Sequence, residues 1–306
     1  MPTPAEAADV LLTVRDCLRY AVSRFNAAGL VYGHGTTNAF DEAAFVVLEG
    51  LNLPVDQLEP YLDARLLPAE RLRLAELVEA RVTTRKPAAY LLGRTYIQGI
   101  PFRVDERVIV PRSFLGELLL SDAFRHGDDT FVPDPAAIGS VLELCTGSGC
   151  LAIIAAMIFG QAEVDAVDLS PDALAVAGLN VEESGHADRI RLHQGDLYAP
   201  VAGRLYDLII TNPPYVDAEV MGMLPPEFRH EPAMALDGGE DGLDLVRRIV
   251  DGAAAHLMPG GGLLCEIGTG RERLEEAYPD LPFLWLDTAD SEAEVFWITA
   301  RDLGGA

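Results

Sequence analysis

Lysine is almost absent from this chain: Lys86 stands alone among 23 basic residues, against 48 acidic ones. The resulting net charge of −25 repels phosphate backbones and argues against nucleic acid as a partner. The deficit of positive charge is uneven. Residues 1–103 hold 11 basic and 12 acidic side chains, whereas residues 104–306 hold 12 and 36. Such a surface favours a basic partner, although general solubility is an equally good account of it. Cysteine is also scarce. Cys17, Cys145, Cys150 and Cys265 form no C-x-x-C pair and have no histidine cluster beside them. That leaves neither a zinc site nor a disulfide framework to expect, and no metal. Long hydrophobic runs are missing: the longest, Leu151 to Phe159, is too short to cross a bilayer. The start, Met1-Pro2-Thr3-Pro4, lacks a basic stretch followed by an apolar one, so no signal peptide is expected and the reading is cytoplasmic. Internal repeats and low-complexity stretches are not evident.

What is present fits two domains with proper cores, since 306 residues are nearly half hydrophobic. In the first hundred, Val10, Val14, Leu18, Val22 and Phe25 recur at helical spacing, and Gly29 suits a helix end. Further helices are expected at Asp41–Glu49, closed by Gly50, and at Ala69–Thr83. Residues 1–95 therefore read as a helical, substrate-recognising domain. Phe102, Val104 and Val108-Ile109-Val110 around Asp105-Glu106 read as a β-hairpin, which places a linker at 96–112. The polar, proline-bearing stretch Asp128–Pro135 reads as a loop. From Ser140 the pattern alternates strand, loop and helix. Strands are expected at Val141–Leu144, Val164–Val167, Ile190–His193, Leu208–Thr211 and Leu263–Ile267, with an edge strand at Val295–Thr299. Helices are expected at Pro171–Glu183 and Asp244–His256. This is an α/β domain over 113–306, with a mostly parallel sheet covered by helices on both faces.

Between the first of these strands and its helix lies Glu143-Leu144-Cys145-Thr146-Gly147-Ser148-Gly149-Cys150. Glycines there let backbone turn tightly and approach a ligand closely. No Gly-Lys-Ser/Thr follows, which excludes a phosphate loop, and the third glycine of the dinucleotide pattern is missing. Asp168 ends the next strand, 21 residues after Gly147, where a carboxylate can accept from ribose hydroxyls. Asp196 ends the third strand and can meet an adenine amino group. Glu143 puts negative charge where a diphosphate would sit, which suits a cationic ligand better than NAD. The alternative is an ordinary α/β turn with capping carboxylates.

Thr211 is followed by Asn212-Pro213-Pro214-Tyr215 at the end of the fourth strand, where parallel sheets place ligands. Two prolines hold the backbone extended and leave carbonyls without neighbouring donors. The Asn212 side-chain oxygen and the Pro213 carbonyl can both accept from one NH2 group, turning its lone pair toward a methyl donor. Tyr215 can stack on a planar amide, a task for its ring rather than its hydroxyl. A carboxamide nitrogen is a poor nucleophile, so positioning and electrostatics must supply the catalysis. The bland alternative is a rigid proline turn with a core tyrosine.

With these residues the chain resembles the class I S-adenosylmethionine-dependent methyltransferases, and among them the protein-(glutamine-N5) methyltransferases. The resemblance spans nearly the whole chain and includes Ala166–Leu174, Glu231-Pro232 to Leu236, and Gly239-Glu240-Asp241-Gly242. It implies a Rossmann-like seven-stranded catalytic domain behind a helical one, and S-adenosylmethionine as cofactor. Glu143, Cys145, Thr146, Gly147, Ser148, Gly149, Asp168, Leu169, Asp196, Leu197 and Asn212 would line the cofactor. Asn212, Pro213, Pro214 and Tyr215 would hold the substrate amide, with Asn212, Pro213 and Tyr215 catalytic. Two branches of this family act on different proteins: peptide-chain release factors, or the third protein of the large ribosomal subunit. Pro111-Arg112-Ser113-Phe114-Leu115-Gly116-Glu117 resembles the second branch, as do Arg19–Phe25 and Tyr32–Thr36. Phe114 departs from it, since proline is expected there. His34 and His230 read as structural.

Two other classes compete. Asn-Pro-Pro-Tyr also serves exocyclic amines of nucleic acid bases, but such enzymes need a basic face. A scaffold that binds cofactor without activity would not need Asn212 and Tyr215 intact.

Overall fold

Short side chains at the helix starts set the architecture of the N-terminal segment. Thr3 and Glu6 form a capping box that opens the helix Pro4–Val10, and Thr13 with Asp16 does the same for Val14–Ala28. Asn38 accepts from the Phe40 and Asp41 N–H groups to open Ala39–Gly50. A fourth long helix, Pro68–Thr84, ends at Arg85 in the left-handed conformation. The computed structural model describes residues 3–125, 131–132, 134–289 and 291–304. They divide into two units, 1–95 with 224–230, and 96–223 with 231–306.

In the first unit, the periodicity from Val10 to Phe25 belongs to two helices rather than one. Val10 ends the first and is 71% exposed, whereas Val14, Leu18 and Phe25 of the second are buried. The cap at Thr13 supplies the break. The core gathers Ala21, Phe25, Val47, Leu74 and Val78. Within it lies a fully buried ion pair, Arg81 Nε to Glu42 Oε1 at 2.7 Å. The remaining guanidinium nitrogens donate to the Val31 and Arg85 carbonyls. The late segment 224–230 belongs here through Glu227, which accepts from the Val31 N–H at 3.0 Å and from Arg85 at 2.7 Å.

The chain then forms a hairpin of β1 (Arg94–Ile97) and β2 (Ile100–Arg103). Gln98 and Gly99 both have positive φ, 48° and 77°, as a tight two-residue hairpin turn requires. The expected hairpin over Phe102–Val110 is therefore displaced. Asp105 instead folds back onto the Arg107 N–H and guanidinium. Val104, Val108 and Val110 are buried, but by packing of a chain that forms no ladder.

The second unit is built on one sheet: β3 (Ser140–Leu144), β4 (Glu163–Asp168), β5 (Ile190–Gln194), β6 (Tyr206–Thr211), β7 (Leu257–Glu266), β8 (Leu284–Leu286) and β9 (Val295–Thr299). Their order is β5-β4-β3-β6-β7-β9-β8. All pairings are parallel except those of β9. The expected edge strand Val295–Thr299 thus lies inside the sheet, covered by the three-residue β8, which is too short to show as a pattern. Successive residues face opposite sides. Leu208 and Ile210 pack with Ala152, Ile153 and Leu115, while Ile209 packs with Leu142, Val246 and Ile249. The helices Pro171–Ser184 and Asp244–Ala253 lie where the sequence places them. The expected loop at Asp128–Pro135 falls partly outside the described residues. Among the described residues no helix is long and apolar enough to cross a membrane.

Removing one partner of a buried pair strands the other. Glu42→Ala should therefore lower stability by about 3–5 kcal/mol, read as a shift in the urea midpoint at unchanged slope.

Candidate active site

The register of the sheet brings the candidate residues to one edge. Leu144 pairs with Val167 on one side and with Thr211 on the other, and Thr211 pairs with Cys265. Asp168 pairs with Gln194. Residues 145–149, 168–169, 195–197, 212–215 and 266–268 therefore all lie at or just beyond the carboxyl ends of adjacent parallel strands. The strand order reverses between β3 and β6, and ligands of open α/β sheets bind at such a point.

At the end of β3, Cys145, Gly147 and Gly149 take positive φ (58°, 55° and 80°), and the helix Cys150–Ile158 begins at once. A Cβ on Gly147 would meet no atom within 4 Å, so its backbone is open to a ligand, whereas one on Gly149 would press on Ala177 at 3.2 Å. Thr146 donates its N–H to the Val167 carbonyl at 3.0 Å. Ser148 is buried, its hydroxyl 3.0 Å from the Cys150 Sγ.

The expectation that Glu143 presents a negative charge to the ligand is corrected. Its carboxyl is buried beneath the loop and accepts from the Thr146 hydroxyl and, at 3.0 Å, from the Ala152 N–H. Burial pushes its pKa up to about 8, so it is largely neutral at pH 7. It braces the loop.

Asp168 does face the loop. One oxygen accepts from the Gly147 N–H and the other from the Ser170 N–H, both at 2.8 Å. The Leu169 N–H also bears on this carboxylate, which still leaves one of its lone pairs open. Leu169 beside it is exposed. Asp196 is engaged by Arg248 at 2.7 Å in a half-exposed ion pair, and Leu197 follows it buried, with φ 47°.

Beyond β6, the Thr211 hydroxyl donates to the Leu144 carbonyl at 2.9 Å and locks the two central strands at their ends. Asn212 is half-buried and Pro213 buried. Among the described residues, no protein group hydrogen-bonds the Asn212 side chain or the Pro213 carbonyl. Tyr215 is held on every side. A Cβ on Gly238 would lie 2.7 Å from the Tyr215 Cα, one on Gly242 would strike its carbonyl, and one on Gly268 would lie 2.8 Å from its ring. Only glycine allows these approaches. The segment 236–238 runs beside it, exchanging Val216 N–H to Leu236 O and Gly238 N–H to Val216 O at 2.9 Å each. The Tyr215 hydroxyl donates to Glu266 at 3.1 Å.

The methyltransferase small domain family matches residues 130–269. The ribosomal protein uL3 glutamine methyltransferase of Bradyrhizobium diazoefficiens is 59% identical over 96% of this chain and 92% of its own. The protein of the same name in Bordetella pertussis is 53% identical over 96% and 97%, and that of Burkholderia pseudomallei 52% over 99% and 97%. The chain belongs to the ribosomal protein uL3 glutamine methyltransferase family. The sheet of this family member is that of the class I S-adenosylmethionine-dependent methyltransferases.

Several residues of this uL3 glutamine methyltransferase family member escape reading from sequence. Buried Asn180 donates to the Ser148 carbonyl at 2.9 Å and so pins the glycine loop from the helix Pro171–Ser184. Arg112 makes a two-pronged pair with Glu231, at 2.6 and 2.8 Å, and Glu231 also accepts from the Val110 N–H. Glu266 collects Ser113, Phe114 and Tyr215. All are long-range contacts that no local spacing announces; the Glu231-Pro232 pair marked the place without its task.

The Glu143 carboxyl supplies a pH test. Its folded pKa of about 8 lies above the ordinary value of 4.5, so its contribution to stability is present at acid pH and is lost as pH rises through that window. Glu143→Gln keeps the acceptor without the proton. Thermal melts of this variant should fall less between pH 5 and pH 8 than those of the wild type.

Proposed function

We propose that this chain transfers a methyl group from S-adenosylmethionine to the side-chain amide nitrogen of a glutamine in ribosomal protein uL3. One observation carries the reading. The Asn212 side chain and the Pro213 carbonyl, uncommitted among the described residues, stand at the strand end adjoining the glycine loop.

The residues present fit the cofactor. The open backbone at Gly147 admits close approach, and Asp168 has acceptor capacity left for ribose hydroxyls. Asp196, steadied by Arg248, would meet the adenine edge, with Leu197 and Leu169 flanking it. Cys145, Thr146 and Ser148 would line the amino-acid end. The bound cofactor supplies a methyl group made electrophilic by its sulfonium.

Asn212 Oδ1 and the Pro213 carbonyl would each accept one N–H of the substrate amide. That fixes the plane of the NH2 group and increases electron density on nitrogen as the new N–C bond forms and the S–C bond breaks. One amide proton then leaves to solvent. Pro214 keeps the backbone extended, and Tyr215 walls the slot with its ring. No strong base is needed, because the two acceptors act where positive charge develops.

The substrate assignment draws on the names of the relatives and on charge. A ribosomal protein is basic because it binds RNA, so an acidic enzyme attracts it before assembly. The first unit, bearing Arg19–Phe25 and Tyr32–Thr36, would choose the partner. Release factors are the second reading, and direct binding to nucleic acid or membrane is not part of either.

Three outcomes test this. Asp168→Ala should weaken S-adenosylmethionine binding by one or two charge-assisted bonds, roughly 1.5–3 kcal/mol each, read by calorimetry. Asn212→Ala should leave that binding largely intact while slowing single-turnover methylation by at least about 100-fold; a near-normal rate sinks the mechanism. Given purified uL3 and a release factor side by side, the enzyme should modify a glutamine of uL3 faster, with association weakening as salt rises, and mass mapping of the methylated residue decides between them.

A further inference from the structure

We propose that Glu266 is the positioning residue of the amide slot: its carboxylate fixes the Tyr215 ring from behind and ties it to the segment Pro111–Phe114. The inference rests on the reading of Asn212–Tyr215 as the slot for a glutamine amide.

Glu266 ends β7 and is 1% exposed. One of its oxygens accepts from the Ser113 hydroxyl at 2.6 Å and the Phe114 N–H at 2.9 Å. The other accepts from the Tyr215 hydroxyl at 3.1 Å. The three donors come from two segments about a hundred residues apart in sequence. An apolar side chain could fill this place at no loss of stability, since burying a carboxylate is costly. A carboxylate adds direction instead: it is satisfied only when all three donors converge. Tyr215 then cannot swing, because its hydroxyl is held by Glu266 and its ring rests on Gly268. The wall of the slot is thereby set, and with it the pose of an amide lying against the ring. A displacement of the order of 1 Å at such a wall is enough to slow a reaction by about 100-fold.

The same brace is sensitive to protons. Burial pushes Glu266 up to about 7. The groups facing it are Tyr215 from the loop after β6, Ser113 and Phe114 from the segment before the helix Leu115–Leu120, and Glu294 from the turn before β9; Arg112 acts on Tyr215, and Cys265 of β7 feels the Glu266 charge. Arg112 is held by Glu231, and Glu294 adds like charge. The ionised carboxylate accepts all three hydrogen bonds. Once protonated it must donate to a neighbouring oxygen, Ser113 or Tyr215, and one bond reverses. Methyl transfer should therefore rise with pH through neutrality.

The test uses the full chain as wild type, Tyr215→Phe, Glu266→Gln and the double variant. Tyr215→Phe keeps the ring and removes only the hydroxyl. Affinity for S-adenosylhomocysteine, by calorimetry, should be unchanged in all four and serves as the control for folding. Each single variant should slow single-turnover methylation of uL3 by about 10–100-fold, and the double variant should be no slower than the worse single one. The acid limb of the wild-type profile should vanish in all three variants. Tyrosine labelled with 13C at Cζ gives a second readout that needs no turnover. The Tyr215 resonance should shift with pH at the midpoint of the acid limb, and should stay flat in Glu266→Gln. Near-normal rates in Tyr215→Phe, additive losses in the double variant, or a resonance indifferent to Glu266 would overturn the assignment. A wild-type chain that methylates no protein would defeat the functional reading alone, and the resonance would still decide whether Glu266 holds Tyr215.

Discussion

The parallel register of β3, β4 and β6 is the constraint on which the site depends. Side chains that sequence separates by up to about seventy positions become neighbours because Leu144, Val167 and Thr211 are paired across three strands. The loops that follow must emerge on the same edge. The reversal of strand order beside β3 sets the loop at 145–149 next to the loop at 212–215, the kind of place where open α/β sheets bind ligands. The Thr211 hydroxyl on the Leu144 carbonyl fixes this adjacency at its last residue pair. Loss of that register by one residue would turn every side chain of β6 to the opposite face and carry Asn212 with it.

Buried carboxylates then hold the loops that the register has delivered. Glu143 lies under the glycine loop, Glu231 under Val110 and Arg112, and Glu266 under Ser113, Phe114 and Tyr215. Each accepts donors from outside its own strand or turn. Glycines do the complementary task on the other side of Tyr215, where any larger side chain would collide with its backbone or ring. The site is rigid for two reasons: polar groups that must be satisfied, and space that only hydrogen atoms fit.

Much of this was legible in sequence, and the reasons are physical. The strands from 140 onward show because parallel strands buried on both faces are continuous apolar runs, and glycine loops separate them from helices. The candidate residues can be named from sequence because the glycine loop and Asn212–Tyr215 are each contiguous, and the sheet brings the two segments to one edge. Sequence draws the hairpin toward 102–110 because buried valines at 104–110 alternate like a strand, while the Gln98-Gly99 turn carries only one glycine. β8 is three residues long and leaves no period. Sequence presents Glu143 as a charge because its position tells where it lies and not how dry the position is. Glu266 could not be found at all, since Ser113 is 153 residues away and no spacing rule reaches that far.

The acidity of the chain takes on a different meaning once burial is known. Glu143 and Glu266, which brace the glycine loop and Tyr215 from behind, are pushed by desolvation to about 8 and about 7. At neutral pH they contribute much less than two full charges. The remaining acids of the second unit are largely at the surface: Asp172, Glu182, Asp188, Glu219, Glu272, Glu276 and Asp280 are all exposed. The long-range field of the molecule therefore comes from one set of carboxylates, and the bracing of the loops from another. Salt screens the first set over about 10 Å at 0.1 M and scarcely touches the second. Conversely, mild acid should disturb the hydrogen bonds around Glu266, which burial pushes up to about 7, while the glycine packing around Tyr215 stays in place.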